Sequence, residues 1–358
     1  MEVLFGRLLE KSLTRKELKM ELHCGVDLHG DNGYYGIIDA EGKRVFRKRL
    51  PNELAAVLEA LEPYREQLNH GVIVESTFNW YWLVDGLKEN GYQVRLGNPA
   101  AMEQYNGLKI TDDETDAFFL AELSRLDVVP EGYIYPKEER PIRDLLRRRM
   151  LLVHQRTAHV LSFQNLVARQ RGEQIRGNEI VKMEPEDVEA FFDDARLQLM
   201  GRTNIETVRF LNSKIKDIEK VVLDAIQLKL EYERLLTVPG IGKILGLTIM
   251  LETGDIGRFA KVGNYSSYCR CVKSSRSSNE KKKGENNRKN GNRYLSWAYV
   301  EAANFIRRYC PEAKRWYQRK LSRTKQVVAT KALASKVCKA CYFIMKDQVD
   351  FDVKKIFG

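Results

Sequence analysis

The sequence predicts an α/β domain followed by a helical arm and a mainly α-helical basic domain. Three observations lead there: short strands alternating with helices early in the chain, two long helical segments with an apolar seam, and positive charge concentrated in the last third. At 358 residues the chain is long for one core. Its 43% hydrophobic and 30% charged residues are the balance of a folded chain rather than a disordered one. The expected boundaries are an N-terminal extension at 1–19, an α/β domain at 20–137, a helical coiled-coil domain at 138–236 and a basic domain at 237–358.

The α/β domain opens with Leu22-His23-Cys24-Gly25-Val26-Asp27-Leu28, which reads as a strand. Strands at Tyr34 to Ile38 and Arg44 to Leu50 follow, joined by the turn Asp39-Ala40-Glu41-Gly42. Asn52 is placed to cap a helix reaching about Leu68, with Leu54, Val57, Leu58 and Leu61 at helical spacing. Gly71 to Glu75 reads as a buried strand, Tyr81 to Glu89 as a helix and Tyr92 to Leu96 as a strand. A three-strand meander followed by helix, strand, helix and strand is the order of an RNase H-like fold.

Beyond a loop marked by Pro130, Pro136 and Pro141, Ile142 to Arg171 forms a long helix with a seam at Leu146, Val153, Val160 and Val167. A second long helix is expected to open on a capping box of Thr203 and Glu206. Its seam, Val208, Leu211, Ile215, Ile218, Val222, Ala225 and Tyr232, has a coiled-coil register. Such an arm serves a homo-oligomer, a dimer or tetramer, or closes as two helices of one bundle.

The net charge of +11 is unevenly spread. Residues 258–339 carry 22 Lys and Arg against four Glu, while residues 1–257 sum to about −7. A basic lobe beside an acidic one is the footprint of a polyanion-binding domain joined to a second activity. Charges run through residues 1–19 without a signal-peptide core, and no apolar run approaches roughly 18 residues, so no membrane partner and a cytoplasmic location are expected. Cys338 and Cys341 form a CxxC without a second pair at zinc spacing, which reads as helix packing.

Four acids carry the chemistry. Asp27 interrupts an apolar strand, where an isolated carboxylate costs several kcal/mol unless neutralised or paired. Glu75 ends the strand Val72-Ile73-Val74-Glu75, and Asp113 and Asp116 stand three apart at a helix start, on one face. Converging oxygen ligands of this kind suit Mg²⁺, with Mn²⁺ as a substitute. Each acid also has a plainer explanation: the helix-start pair can serve the macrodipole, and Glu75 can end a surface strand.

The segments Gly25-Val26-Asp27-Leu28-His29, Val74-Glu75-Ser76-Thr77 and Gly107 to Ala117 resemble the acidic motifs of the DEDD transposases of bacterial insertion sequences, the group that includes the Piv-type DNA invertases. Pro239-Gly240-Ile241-Gly242, Gly254-Asp255-Ile256-Gly257-Arg258-Phe259 and Lys289-Asn290-Gly291-Asn292 with Leu295 are similar to that family's second domain. The resemblance covers about residues 20 to 350. It implies a RuvC-like first domain whose catalytic, metal-holding acids are Asp27, Glu75, Asp113 and Asp116. It also implies a serine that forms a covalent link to DNA, which by motif position is Ser278, with Ser274, Ser275 and Ser277 as rivals. Asn279 in place of glycine, and Tyr268-Cys269-Arg270-Cys271-Val272 in place of Gly-Leu-x-Pro, depart from the commoner pattern.

Arg270, Lys273, Arg276, Lys281, Lys282 and Lys283 surround that serine in sequence, a cationic field suited to a phosphodiester. Gly240, Gly242 and Lys243 read as a helix-hairpin-helix-like turn, and Arg288, Lys289 and Asn292 as further nucleic-acid contacts. The resemblance further implies DNA (element ends and target) as substrate, a structured guide RNA encoded by the element, acids and serine acting in one composite site, and a bacterial, nucleoid-associated protein. Two other readings stay open: a hydrolytic RuvC-like nuclease or junction resolvase without a covalent intermediate, and a non-catalytic nucleic-acid-binding protein.

Overall fold

The computed structural model describes residues 21–102, 112–225, 230–272 and 290–358, together with the backbone of Arg276–Ser278 and Lys281–Gly284. The chain divides into two compact units, Met1–Ile134 and Tyr135–Gly358. No helix among the described residues is long and apolar enough to cross a membrane.

The first unit is a mixed sheet flanked by helices. Strands β1 (Leu22–Leu28), β2 (Asn32–Asp39) and β3 (Arg44–Pro51) form an antiparallel meander. Strands β4 (Val72–Glu75) and β5 (Val94–Gly97) add in parallel, and the short β6 (Glu131–Gly132) closes the sheet, in the order β3-β2-β1-β4-β5-β6. Period-two alternation sorts β1 onto two faces. Leu22, Cys24, Val26 and Leu28 join the core formed with helices α1 (Leu54–Leu61) and α2 (Tyr81–Glu89). His23, Gly25 and Asp27 face helix α3 (Asp113–Arg125), so every residue of β1 is buried.

Helix α1 is shorter than expected, and Asn52 does not cap it. Glu53 holds the cap position without a side-chain bond, while the Asn52 amide donates to the carbonyls of His29 and Gly30, pinning the β1–β2 turn. Past Leu61 the chain tightens into a 3-10 turn, Glu62–Gln67, because Pro63 has no N–H to continue the α-helical ladder.

Among the described residues the second unit is helical apart from one hairpin. Helix α4 (Arg140–Arg171) takes Pro141 into its first turn, where the missing N–H costs nothing. After the short α5 (Gly177–Ile180), helix α6 (Ala195–Asp224) returns antiparallel to α4, as the pairs Arg149–Glu219, Arg156–Asn212 and His159–Asn204 show. Thr203 lies inside α6 and not at its start. Asp194 is the cap, and the Thr203 hydroxyl bonds back to the Leu199 carbonyl four residues earlier. The seam residues Val208, Leu211, Ile215 and Val222 are buried within this one chain.

The remaining α-helices among the described residues are α7 (Leu230–Leu236), α8 (Lys243–Thr253), α9 (Val262–Tyr268), α10 (Arg293–Tyr309), α11 (Pro311–Leu321), α12 (Gln326–Asp347) and α13 (Val353–Phe357). They enclose the largest core, which takes in Tyr265, Tyr299 and Tyr342 and buries Cys338 and Cys341. Between α9 and α10 the backbone forms the hairpin β7 (Arg276–Ser278) and β8 (Lys281–Gly284).

The contact of α3 with β1 has a direct test. A Cβ on Gly25 would lie 2.1 Å from the Ala117 carbonyl oxygen and 2.6 Å from the Ala121 nitrogen, both backbone atoms that cannot give way singly. Gly25→Ala should therefore cost at least the roughly 1–3 kcal/mol typical of overpacking. Urea unfolding of the whole chain measures this, and wild-type stability would show that α3 does not pack on β1 as described.

Candidate active site

Three elements place the four acids near one another, with Glu75 and Asp116 outside the tight group that Asp27 and Asp113 form with a histidine. Asp27 lies near the end of β1 on the face that Gly25 opens to α3. The parallel register pairing Val26 with Val74 sets Glu75, at the end of β4, beside Asp27. Asp113 and Asp116 occupy the first turn of α3. Capping falls to Asp112, whose carboxylate accepts from the Thr115 amide at 2.8 Å and from its hydroxyl at 2.6 Å. Asp113 and Asp116 are thus not needed to cap the helix.

His29 joins the group from just beyond β1. Its Nε2 is 3.1 Å from Asp27 Oδ2 and 3.2 Å from Asp113 Oδ1. Asp27, His29 and Asp113 each offer a donor atom within 4.8 Å of the others, the spacing of a metal-holding set. Sequence reasoning gave His29 no role. The available signal was its position two residues after Asp27, which in an extended strand puts both side chains on one face. The other Asp113 oxygen takes Arg49 Nη2 at 2.6 Å.

The acids sense one another. Burial raises the Asp27 carboxyl above its ordinary range, with Asp116 and Asp113 adding to the rise and His29 opposing it. Burial likewise raises Glu75, and the charges of Asp27 and Asp116 push it further. Like charges forced together in this way are relieved by a divalent cation, and carboxylate oxygens and an imidazole nitrogen are both metal-ligand types.

The remaining expected contacts fall in the second unit. The side chains of Ser278, Lys273, Arg276, Lys281, Lys282, Lys283, Arg288 and Lys289 lie outside the described residues, as do Ser274, Ser275 and Ser277. The backbone places Ser278 at the inner end of β7, paired with Lys281. Gly240 has φ +94°, and a Cβ there would lie 2.7 Å from the Ile306 nitrogen. Its close approach is therefore to α10 rather than to a phosphate. Gly242 is open at the N-terminus of α8, with Lys243 exposed beside it.

Arg270 and Asn292 have structural duties. Arg270, at φ 54°, donates from Nε to the carbonyls of Asn290 and Gly291, joining the two ends of the segment that carries Ser278. Asn292 is buried and not available as expected: its Oδ1 caps α10, and its Nδ2 donates to Glu252 Oε2 at 2.7 Å. Glu252, 1% exposed, also receives a two-pronged bond from Arg147 at 2.6 and 2.7 Å. This buried carboxylate was not singled out in the sequence, because its partners are 40 and 105 residues away.

An α/β unit carrying gathered carboxylates, joined to a basic helical unit, has the parts of an enzyme that cuts nucleic acid, and comparison with known proteins specifies which kind. Residues 24–170 match a family model of DEDD type described as "Transposase", and residues 232–318 match one described as "Transposase IS116/IS110/IS902 family". The chain is also similar to a "Probable family 20 transposase" of Pseudomonas aeruginosa, at 25% identity over 270 residues covering 72% of this chain and 78% of the relative. These matches define a DNA transposase. The chain belongs to the IS116/IS110/IS902 transposase family.

The crowding of the acids predicts a pH signature. A carboxyl whose pKa is raised on folding leaves stability intact below its unfolded value and removes it as pH rises through the folded value. Asp27→Asn should therefore raise the melting temperature of the metal-free protein at neutral pH. The gain should shrink as pH falls and vanish only well below the ordinary aspartate pKa of about 3.9, where Asp27 is protonated both folded and unfolded. A melting temperature equal to wild type at pH 7 in EDTA would contradict the burial and repulsion assigned to Asp27.

Proposed function

We propose that this transposase cuts and rejoins DNA with a divalent ion, Mg²⁺ in the cell, held by Asp27, Glu75, Asp113 and Asp116, and with Ser278 as nucleophile. The observation that carries the reading is the meeting of buried Asp27 with Asp113 around His29, with Glu75 and Asp116 close enough to perturb the group. The strand order β3-β2-β1-β4-β5, antiparallel and then parallel about β1, supports an RNase H-like, RuvC-like assignment for the first unit. A divalent ion at these carboxylates supplies Lewis-acid stabilisation of the charge that builds on a phosphodiester during its cleavage.

The chain's own residues do the rest. Asp27 and Asp113 would hold the ion, with His29 Nε2 within 3.2 Å of an oxygen of each. The Ser278 hydroxyl attacks the phosphorus, and its proton leaves with the displaced sugar oxygen. A serine–phosphate bond then stores the linkage until a sugar hydroxyl of the new strand replaces the serine. Lys281, Lys282 and Lys283 offset the phosphate charge. From the family resemblance we extend the proposal to a structured RNA that selects the DNA by base pairing and to a dimer or tetramer built on the α4–α6 arm, whose outer side exposes Leu199, Met200 and Phe210.

Incubating protein, element RNA and labelled DNA separates the parts. Asp27→Asn should lose Mg²⁺-dependent strand cleavage while remaining folded, and near-normal cleavage would remove Asp27 from the site. Ser278→Ala should abolish the covalent protein–DNA adduct and leave nucleic-acid binding almost unchanged. An adduct that persists and maps to Ser274, Ser275 or Ser277 would move the nucleophile, and cleavage without any adduct would make the enzyme a hydrolytic nuclease. Protein purified from cells carrying the element should retain one discrete RNA, and site-selective recombination by RNA-free protein would overturn the guide.

A further inference from the structure

The edge strand β3 carries a row of cations that the chemistry above does not use. It is the outermost strand of its sheet, and most of it is exposed. Its register sets Arg49 opposite Tyr34, Arg47 opposite Gly36 and Arg44 opposite Ile38. Those three β2 positions face α3: the Tyr34 hydroxyl donates to Glu114, a Cβ on Gly36 would meet the Phe118 ring, and Ile38 packs with Phe118. The arginines therefore line the side of the sheet that holds the acids, and the row runs up to Asp113.

Each of the three is paired now with an acid of α3. Arg49 Nη2 is 2.6 Å from Asp113 Oδ2, and Arg44 and Arg47 lie 2.6 and 3.1 Å from Glu114 Oε1. Arg44 also rests on the Phe118 ring, 4.2 Å from its centroid. The three arginine side chains are still 54, 66 and 57% exposed in the order Arg44, Arg47, Arg49. Exposed pairs of this kind hold weakly and exchange at little cost. A guanidinium is also well shaped to take two oxygens of a phosphate.

From this arrangement we propose that Arg44, Arg47 and Arg49 form the surface on which the phosphate backbone of the DNA lies, and that Arg49 serves as counter-ion to Asp113 until metal and DNA arrive. The proposal rests on the reading of Asp113 as a metal ligand. Asp113 has one oxygen on His29 and the other on Arg49, so a divalent ion competes with the guanidinium for the same carboxylate. Once displaced, Arg49 stands beside a dication and is repelled unless an anion joins it. A phosphodiester is that anion, so metal entry and DNA docking favour one another. DNA is the occupant because the row ends at the acids assigned to cut it.

Two measurements on the full-length chain test this with opposite signs. Arg49→Gln, titrated with Mn²⁺ by electron paramagnetic resonance without nucleic acid, should bind the ion more tightly, by up to about fivefold. The triple variant Arg44→Gln, Arg47→Gln, Arg49→Gln should bind a labelled element-end duplex more weakly in Ca²⁺. Its log affinity against log salt should flatten by about two to three in slope. A merely destabilised protein would lose both kinds of binding, so tighter metal with weaker DNA is the expected signature. Unchanged Mn²⁺ affinity in Arg49→Gln, or an unchanged salt slope in the triple variant, overturns the proposal. A slope that flattens for element RNA but not for DNA overturns the choice of occupant. Asp113→Asn should lose Mn²⁺ affinity, and if it does not, the metal reading itself fails and the coupling with it.

Discussion

Helix α3 reaches strand β1 so closely at Gly25 that its backbone takes the place of a side chain. That approach governs the electrostatics of the first unit. It carries Asp113 and Asp116 to the end of β1, where Asp27 is already shielded from water by the same helix. The packing that excludes water also makes each carboxylate feel its neighbours, since mutual repulsion grows as the local dielectric falls. Much of this crowding is held by polar neighbours: His29 bridges Asp27 and Asp113, Arg49 takes the free oxygen of Asp113, and Arg44 and Arg47 hold Glu114. Stability given up at such a point is the usual cost of an active site poised to bind a cation.

The second unit is organised around a different buried charge. Glu252 is closed off from solvent and satisfied by the guanidinium of Arg147 and the amide of Asn292. Removing one partner of such a group would strand a charge in the core, so the network holds its members in one arrangement. Asn292 passes that order on by capping α10, while its own N–H donates to the Tyr268 carbonyl. Arg270 ties the same two chain ends together from the other side. The hairpin bearing Ser278 thus leaves and re-enters the fold at one fixed point, although it is rich in like charge.

The strands of the first unit were legible because short runs of strand-forming residues are bounded there by turn and cap signals, and β1 to β4 lie within a residue or two of where those runs place them. Cap signals were less dependable. Asn52 has the residue type of a cap yet spends its amide on His29 and Gly30, and Thr203 has the spacing of a capping box yet sits mid-helix. Both side chains satisfy several backbone partners equally well, so the partner that folding supplies decides. Among the acids, Asp27 announced itself by interrupting an apolar strand. His29 did not, because one histidine after a strand is unremarkable until a helix some eighty residues later brings Asp113 against it.

The sequence by itself determined the order of elements, the division between an acidic and a basic half, and the family to which the motifs point, since periodicity, composition and motif spacing are properties of the chain alone. Only the tertiary structure decided that α4 and α6 close their seams on each other, that Asn292 and Arg270 tie the backbone rather than lie free, and that Arg49 shares Asp113 with His29. Those are questions of which polar atom meets which. Hydrogen bonds and ion pairs act only over a few ångströms, and partners tens of residues apart reach that range only once the packing of apolar faces has set the backbone.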